Sequence, residues 1–182
     1  NVKKGDTLSF GGLKTGIRTY LAFSAEIDVP IVMGSKSTLL KSKLGGFDGR
    51  QLKMGDVINF KNPKILSKGN ILDKKYIPEY KHEQKIRIVA GPQDDYFADD
   101  ALKTMTKNKY QITKDADRMG MRLAGAEINH KNKADIISDA AVFGSIQVPG
   151  NKQPIILLAD RQTTGGYTKI ATVIKSDLPK LA

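Results

Sequence analysis

The stretch "QVPGNKQPIILLADRQTTGGYTKIA", residues 147–171, carries the clearest information about the fold because apolar and polar segments alternate within it over a short distance. Two apolar runs, "PIILLA" (154–159) and "KIATVI" (169–174), enclose the polar, glycine-containing segment 160–167. Short runs that are rich in β-branched residues and bounded by Gly, Pro or Asp predict β-strands. Between them, "QTTGG" (162–166) fits either a hairpin turn or a loop that holds a ligand. Periodicity alone does not choose between these two structures.

The same strand pattern recurs along the chain, whereas helical periodicity is scarce. The best helical candidate is "DDYFADDALKTMTKN" (94–108), in which Phe97, Leu102 and Met105 are spaced for one face. "KADIISDA" (133–140) is a candidate for a single helical turn. Many short strands with few helices predict a mainly β fold, either a β-barrel or a sandwich. The further predicted strands are "TLSF" (7–10), "IRTYLAF" (17–23), "VINF" (57–60), "KIRIVAG" (85–91), "YQIT" (110–113), "MRLAG" (121–125) and "SIQVPG" (145–150).

Composition narrows the possible partners and compartment. The 182 residues carry a net charge of +11, but only six of the 30 basic residues are Arg, and aromatic residues make up 7%. Nucleic-acid grooves usually concentrate Arg and interleave aromatic side chains, so we expect a solvated lysine surface and no nucleic-acid partner. No apolar run approaches the roughly 20 residues that span a bilayer. The chain has no cysteine, and we expect a cytoplasmic protein without a membrane partner.

A weak repeat and a lysine-rich stretch indicate two modules. "VKKGDTLSF" (2–10) and "LKMGDVINF" (52–60) each predict a tight Gly-Asp turn followed by a strand with one buried face. Residues 63–83 are rich in lysine and lack clean alternation, which is typical of a connector. We therefore predict a β-rich N-terminal module at residues 1–62, a connector at 63–83 and a second, barrel-forming module at 84–182.

Several familiar chemistries have no support in the sequence. The two histidines, His82 and His130, lie in polar segments, and we expect both to be exposed, without a metal site or a Ser-His triad. Phosphate-loop and dinucleotide fingerprints are absent, and "GSKST" (34–38) has the wrong spacing and is interpreted as a turn or helix cap. What remains is a set of four polar stretches whose amides, hydroxyls and Arg suit a small ligand with an amide or carboxylate. They are "GPQDDYF" (91–97), "DADRMGMRL" (115–123), "QVPGNKQPI" (147–155) and "DRQTTGGY" (160–167).

At these motifs the chain strongly resembles the allophanate hydrolase subunit 2 family, also known as biotin-dependent carboxyltransferase-like proteins. The resemblance runs nearly end to end, and the combination of "RMG" (118–120) with "QTTGGY" (162–167) is specific to it. It implies a cyclophilin-like β-barrel for the second module. Members usually carry further residues before "VKKGD" and after "LPKLA", so we expect this chain to be a fragment of a longer protein.

The resemblance also implies a function and partners. We expect a component of an ATP-dependent 5-oxoprolinase that converts 5-oxo-L-proline to L-glutamate, with ATP bound somewhere in the complex. Its partners would be homologues of subunit 1, which is the B subunit in 5-oxoprolinase, and of the A subunit. One alternative is a half-site of a biotin-dependent carboxyltransferase of the urea amidolyase type, for which biotin would be the cofactor. Another is a regulatory protein that antagonises an inhibitor of a histidine kinase.

Site residues are predicted on the motif positions. We expect a ligand-facing "QTTGG" loop in which Gly165 and Gly166 expose backbone amides to an oxyanion or carboxylate. Arg118 would bind a carboxylate or phosphate, and Asp160 would orient a neighbouring group. A purely structural Arg118–Asp160 pair is the alternative. The predicted catalytic residues are Arg118, Asp160 and Gln162, and the predicted substrate-binding residues are Gln147, Gln153, Thr163, Thr164, Gly165, Gly166 and Tyr167. The chain departs from the family's usual residues at Ala25–Glu26, Met121 and Thr168.

Overall fold

The structure is a computed structural model that describes residues 3–12, 16, 18–64, 71–77 and 79–181. Strands dominate in these residues, joined by one α-helix, α1 (Ala101–Lys107), and four 3₁₀ segments, Leu40–Ser42, Lys74–Tyr76, Asp94–Tyr96 and Lys175–Leu181. The mainly β class with few short helices is thus confirmed. The strands are β1 (Glu26–Ile27), β2 (Phe60–Lys61), β3 (Ile88–Ala90), β4 (Gln111–Ile112), β5 (Gly120–Ala124), β6 (Asp135–Ala140), β7 (Ser145–Gln147), β8 (Ile155–Leu157), β9 (Thr164–Tyr167) and β10 (Lys169–Val173).

Six strands form one antiparallel sheet in the order β3-β10-β7-β8-β5-β4. Each of them lies at one of the predicted strand patterns between residues 85 and 174, so those six predictions are confirmed. Strand β10 pairs along both of its edges: Ala171 lies opposite Ala90 of β3 and Ile146 of β7. The near-continuous apolar runs of β8 and β10 reflect burial of both faces of these strands: Ile156, Leu157, Ile170 and Ala171 are each at most 6% exposed.

The core lies between this sheet and the segment around α1. Phe97, Ile128, Ile146, Val148 and Ile170 are each at most 1% exposed. Leu102 and Met105 of α1 pack against the same cluster, so these two positions of the predicted apolar face are confirmed, whereas Phe97 is buried but lies outside the helix. The helix begins only at Ala101, because Asp94–Tyr96 form a separate 3₁₀ turn. No helix in the described ranges is long and apolar enough to span a membrane.

Strands β6 and β9 form a separate antiparallel pair, and two predictions about them are wrong. "KADIISDA" is predicted to form a helical turn, but Asp135–Ala140 is a strand. "QTTGG" is predicted to be a turn or a ligand-facing loop, but Thr164–Tyr167 is a strand, and only Gln162 and Thr163 precede it. The reason is the same for both segments. Each supplies the backbone partner that the other needs, and a pairing between residues 24 to 32 positions apart leaves no local pattern in either.

Contacts divide the chain into two units. One comprises the described part of Asn1–Ile17 with Ile77–Ala182, and the other is Arg18–Tyr76. In the second unit the only sheet among described residues is the β1–β2 pair. Residues 7–10 and 18–23 are predicted as strands but do not form them, because an apolar pattern forms a strand only where another backbone pairs with it. The module boundaries predicted at residues 62 and 83 remain a prediction, and residues 65–70 and 78 of the predicted connector lie outside the described part.

The two predicted Gly-Asp turns have the same geometry. The amide of Asp6 donates to the carbonyl of Lys3 at 3.1 Å, and the Lys3 amide donates back to the Asp6 carboxylate at 2.7 Å. Asp56 and Lys53 repeat both bonds, at 3.1 and 2.6 Å. Gly5 and Gly55 have φ of +96° and +89°, which the third position of such a turn requires and which only Gly adopts freely.

Only the second turn carries an additional ion pair. The Arg50 guanidinium donates to both Asp56 oxygens at 2.7 and 2.9 Å, and this bond lowers the pKa of Asp56 to about 2. We expect Asp56→Asn to accelerate amide exchange at Lys53 by much more than Asp6→Asn accelerates it at Lys3, because the first change also breaks the bidentate pair. Hydrogen-exchange mass spectrometry of the two matched variants measures this difference. Equal acceleration at both turns would show that the Arg50 pair contributes nothing.

A buried carboxylate ties the edge strand β3 to the C-terminal 3₁₀ segment. The Asp177 side chain is fully buried and accepts hydrogen bonds from the backbone amide, Nε and Nη2 of Arg87 at 2.8, 3.0 and 2.7 Å. Lys180 Nζ lies 3.0 Å from the same carboxylate. These donors hold the pKa of Asp177 far below its ordinary value, with the Arg87 side chain as the largest cause. The carboxylate is therefore fully compensated.

Asp177→Asn should lower the unfolding midpoint by roughly 5–10 °C, since a buried carboxylate loses the charge that its donors compensate. Because the folded-state pKa is lowered, this stabilisation is present above the ordinary pKa of 3.8 and is lost as pH falls toward the folded-state value. Thermal denaturation at pH 7 and near pH 3 should show a smaller difference from wild type at the lower pH. Glu127→Gln, which breaks an exposed 3.0 Å pair with Lys152, is the control that should change little.

Candidate functional site

Three of the predicted site residues converge beside strand β9. Gln147 of β7 is 2% exposed, and its Nε2 donates to the Tyr167 carbonyl at 3.4 Å. Gln162 Nε2 lies 3.5 Å from the Gln147 side-chain oxygen. Gly165 completes the group, because a Cβ at this position would lie 2.6 Å from Gln147 Nε2 and 3.3 Å from Gln162 Nε2. We call Gln147, Gln162 and Gly165 the glutamine cluster.

Gly165 is required here for space. Its φ lies outside the left-handed region, so no backbone conformation demands glycine. The missing side chain instead leaves room for the carboxamide of Gln147, which is buried and bonded on its other side. The expected open loop with amides free for an oxyanion is not formed, because β9 pairs with β6. The role of Gly165 in ligand binding stays a prediction.

A buried lysine with a carboxylate partner lies next to the glutamine cluster. The Lys169 side chain is 3% exposed, and its Nζ lies 2.9 Å from Asp139 Oδ2. Gln93 Nε2 donates to the same oxygen at 3.1 Å, and the Lys169 amide donates to Gln93 Oε1 at 3.1 Å. The ammonium, the Ala140 amide and the Gln93 carboxamide together lower the pKa of Asp139, with Lys169 as the largest cause. We call Lys169 and Asp139 the lysine–aspartate pair.

Strand register places this pair beside the glutamine cluster. Lys169 lies directly opposite Gln147 across β10 and β7. Asp139 lies directly opposite Gly165 across β6 and β9. Residues directly opposite each other in an antiparallel pair have Cβ atoms about 5 Å apart and project to the same face. Charged and amide side chains from three strands, β6, β7 and β10, therefore lie close together beside β9.

Arg118 and Asp160 form a bidentate pair with each other. Arg118 Nε and Nη2 donate to the two Asp160 oxygens at 2.6 and 3.0 Å, and the Asp160 amide donates to the Arg118 carbonyl at 3.0 Å. The pair joins the turn before β5 to the turn after β8. The arrangement is that of the purely structural alternative. The predicted catalytic roles of Arg118 and Asp160 remain predictions.

The other predicted residues have different surroundings. The Gln153 side chain uses both its oxygen and its nitrogen on the backbone of Gly125, at 2.9 and 3.3 Å. It thus bridges the chain before β8 to the chain after β5, at the end of this strand pair. The remaining predicted positions lie on or next to β9. Gly166 is half-buried, and the exposed residues are Thr163, Thr164 and Tyr167.

The expectation that His130 is exposed is wrong. Its Nε2 lies 3.1 Å from both the Val148 carbonyl and the Thr168 hydroxyl, and its ring is 4.6 Å from that of Phe97. Burial is the largest cause that lowers the pKa of His130. The polar "NHKNK" pattern misleads because His130 forms an isolated bridge with Phe97, a residue far earlier in the chain. His82 is exposed, as predicted.

A cavity lies apart from the glutamine cluster. A cavity of about 300 Å³ lies beside α1 and has acidic residues at its rim. In the described ranges no three His, Cys, Asp or Glu side chains are placed to hold a metal ion. The cavity is lined by Asp94, Asp95, Phe97, Ala98, Asp99, Leu102, Lys131 and Ile170.

Comparison with known proteins identifies the family. Residues 1–182 match the profile of the family described as "Carboxyltransferase domain, subdomain A and B". The chain belongs to this family. Its relatives include the C subunit of 5-oxoprolinase from Escherichia coli, which is 36% identical over 181 residues, and that from Haemophilus influenzae, which is 35% identical. Both alignments cover all of this chain but only 57% of the relative, so the chain spans about half of their length.

Further relatives share the sequence and the fold. Urea amidolyase of Saccharomyces cerevisiae is 30% identical over 200 residues, which cover 99% of this chain and 11% of the relative. Two crystal structures of Kluyveromyces lactis proteins, a urea amidolyase and a urea carboxylase, each superpose with a TM-score of 0.76 at 25% identity. Each superposition covers 87% of this chain. It covers 11% of the solved urea amidolyase chain and 16% of the solved urea carboxylase chain. Homologues of this chain are thus components of enzymes named for 5-oxoproline and for urea.

Sequence reasoning missed Lys169 and Asp139. Lys169 begins the apolar run "KIATVI", where a charged residue is uncommon. This unusual position is the one sequence signal that points to Lys169. Asp139 lies in the segment predicted as a helical turn, so its proximity to β9 had no sequence signal. Gln93, in contrast, belongs to the "GPQDDYF" motif.

The glycines of β9 provide a direct test of the glutamine cluster. Gly165→Ala should displace the Gln147 carboxamide and lower the free energy of unfolding by about 1–3 kcal/mol, because overpacking a filled site has such a cost. Gly166→Ala is the matched comparison and should cost less, since the nearest atom that its Cβ would meet is the Ile136 carbonyl oxygen at 3.3 Å. Denaturant unfolding of both variants measures the difference. Equal losses of stability would place the effect in the strand rather than in the cluster.

Proposed function

We propose that this chain is part of an ATP-dependent 5-oxoprolinase that converts 5-oxo-L-proline to L-glutamate in the cytoplasm. The observation that carries the proposal is the 36% identity to the C subunit of a 5-oxoprolinase over the whole chain. The relative is named as one subunit of an enzyme, so the activity is expected only in a complex. The expected partners are homologues of the B and A subunits, and ATP would bind within that complex.

The glutamine cluster supports a small-amide substrate. Carboxamides both donate and accept hydrogen bonds, so Gln147 and Gln162 can match an amide without a net charge. Thr163, Thr164 and Tyr167 are exposed beside them and add hydroxyl groups. Arg118, whose guanidinium is already matched to Asp160, would bind the substrate carboxylate or act through that pair.

A second candidate function is transfer of a carboxyl group from biotin to urea. The family description and the 30% identity to a urea amidolyase favour it, as does the fold shared with a urea carboxylase. For this function biotin would be the cofactor, and a separate carrier would bring it to the site. Urea and 5-oxo-L-proline are both small neutral amides at the reacting group, so one pocket chemistry fits both functions.

The decisive experiment uses the full-length protein that contains this chain, mixed with its homologues of the A and B subunits. We expect ATP-dependent glutamate release from 5-oxo-L-proline that requires all three proteins. Arg118→Ala and Thr164→Ala should lower kcat/KM by about tenfold or more if these groups contact substrate. Enzyme-coupled glutamate detection with purified proteins measures this.

Two outcomes would contradict the proposal. Biotin-dependent carboxylation of urea without glutamate release would favour the second candidate. Binding to the homologue of the B subunit with neither activity would favour the regulatory role. Asp160→Asn distinguishes the two possible roles of Arg118. If the pair is structural, Asp160→Asn and Arg118→Ala should lose similar amounts of activity and of stability. A substrate contact predicts a larger rise in KM for Arg118→Ala.

A further inference from the structure

Lys169 is buried with fewer hydrogen-bond acceptors than its ammonium can use. A lysine ammonium has three N–H donors, and a buried charge is stable only when it is paired and hydrogen-bonded. The side chain is 3% exposed, and among the described residues Asp139 supplies its single side-chain acceptor, at 2.9 Å. Two donors of a nearly buried cation are thus left for water or a ligand.

The comparison with Asp177 shows why this pair differs from a structural one. Asp177 is the buried member of its pair, and it receives hydrogen bonds from three groups of Arg87 and an ion pair from Lys180. The charge there is saturated. In the lysine–aspartate pair the cation is buried and the carboxylate partner is 48% exposed. The exposed side of the Asp139 carboxylate faces solvent, where a ligand can reach it.

Asp139 keeps acceptor capacity at this open side. A carboxylate has about four lone-pair sites. Three are occupied: Lys169 and Gln93 donate to Oδ2 at 2.9 and 3.1 Å, and the Ala140 amide donates to Oδ1 at 2.7 Å. A donor from outside the protein can therefore bind at Oδ1. The donors of Lys169 and this acceptor belong to groups in direct contact.

The lysine–aspartate pair offers a donor beside an acceptor and carries no net charge. This combination matches one kind of ligand group. An amide whose carbonyl oxygen and N–H lie on the same side, as in a lactam or in urea, presents an acceptor next to a donor. The carbonyl would accept from Lys169 Nζ, and the N–H would donate to Asp139. An anion fits less well, because Asp139 already neutralises the ammonium and repels negative charge. The register also sets Asp139 opposite Gly165, whose missing side chain makes room for the neighbouring Gln147 carboxamide.

We propose that Lys169 and Asp139 together bind the cis-amide group of the substrate, with Lys169 on the carbonyl oxygen and Asp139 on the N–H. The assignment rests on the proposed function, since it names the group by which a small amide is held at the β9 face. It makes both residues specificity-determining: they select a neutral amide that has an N–H and reject one that lacks it. Lys169 would also stabilise negative charge that develops on the carbonyl oxygen.

The test uses the full-length protein assembled with its homologues of the A and B subunits. Calorimetry measures binding of four probes: 5-oxo-L-proline, 2-pyrrolidone, N-methyl-2-pyrrolidone and urea. Wild type should bind 2-pyrrolidone, which has the N–H, about tenfold or more tightly than its N-methyl analogue, because the site's acceptor is otherwise left unpaired. Lys169→Met should weaken binding of 5-oxo-L-proline by about 10- to 100-fold.

Asp139→Asn tests the acceptor without creating a buried cavity, since Asp139 is half-exposed. It should abolish the preference for 2-pyrrolidone over the N-methyl compound, and a merely structural pair would leave that preference unchanged. Lys109→Met is the control, because Lys109 is an exposed lysine paired with Glu83 at 2.8 Å. It should leave binding and kinetics at wild-type values. Thermal denaturation of each variant shows whether it is folded.

The outcomes separate this inference from the proposed function. Glutamate release with unchanged KM and unchanged lactam preference in folded Lys169→Met and Asp139→Asn would overturn the inference and leave the function standing. Urea binding that depends on Lys169, without glutamate release, would support the inference and overturn the function. If wild type binds none of the four probes, or binds the N-methyl compound as tightly as 2-pyrrolidone, the inference is wrong.

Discussion

The double pairing of strand β10 constrains the rest of the unit that contains the six-stranded sheet. Its backbone bonds to β3 on one edge and to β7 on the other, and side chains on both of its faces are buried. Ile170, Ala171 and Val173 form part of the core, each at most 3% exposed. Lys169, at the strand's first position, is buried with them. Every polar group near this position must then find a partner within the protein or in a ligand.

Polar groups at this end of the sheet satisfy each other in a chain. Gln93 reaches both the Lys169 amide and the Asp139 carboxylate, and Gln147 reaches Gln162 and the backbone of β9. Networks of this kind hold side chains in one arrangement, because moving one member leaves another unsatisfied. The site is therefore preorganised by the sheet. Its exposed side is formed by β9, which carries glycines where side chains would fill the space.

Three ion pairs of this unit illustrate different physical roles. Arg87 and Asp177 pair around a buried carboxylate that is saturated with donors, which is how a charge supports a fold. Arg118 and Asp160 join two turns at the surface, where solvent weakens the attraction. Lys169 and Asp139 combine a buried cation with an exposed anion. In this last arrangement the buried ammonium has donors that no acceptor among the described residues satisfies.

Local sequence rules were enough to predict the mainly β class, the six strands between residues 85 and 174, the helix around Ala101 and the paired Gly-Asp turns. Those rules are β-branched runs, apolar periodicity, and a glycine at the position that needs a positive φ. Motifs also indicated Gln147, Gln162 and Gly165 as site residues. Three features required the folded chain: "QTTGG" joins a strand, His130 is half-buried, and Lys169 meets Asp139. Each of them depends on a partner about 25 to 40 residues away, and strand pairing at that distance has no local sequence signal.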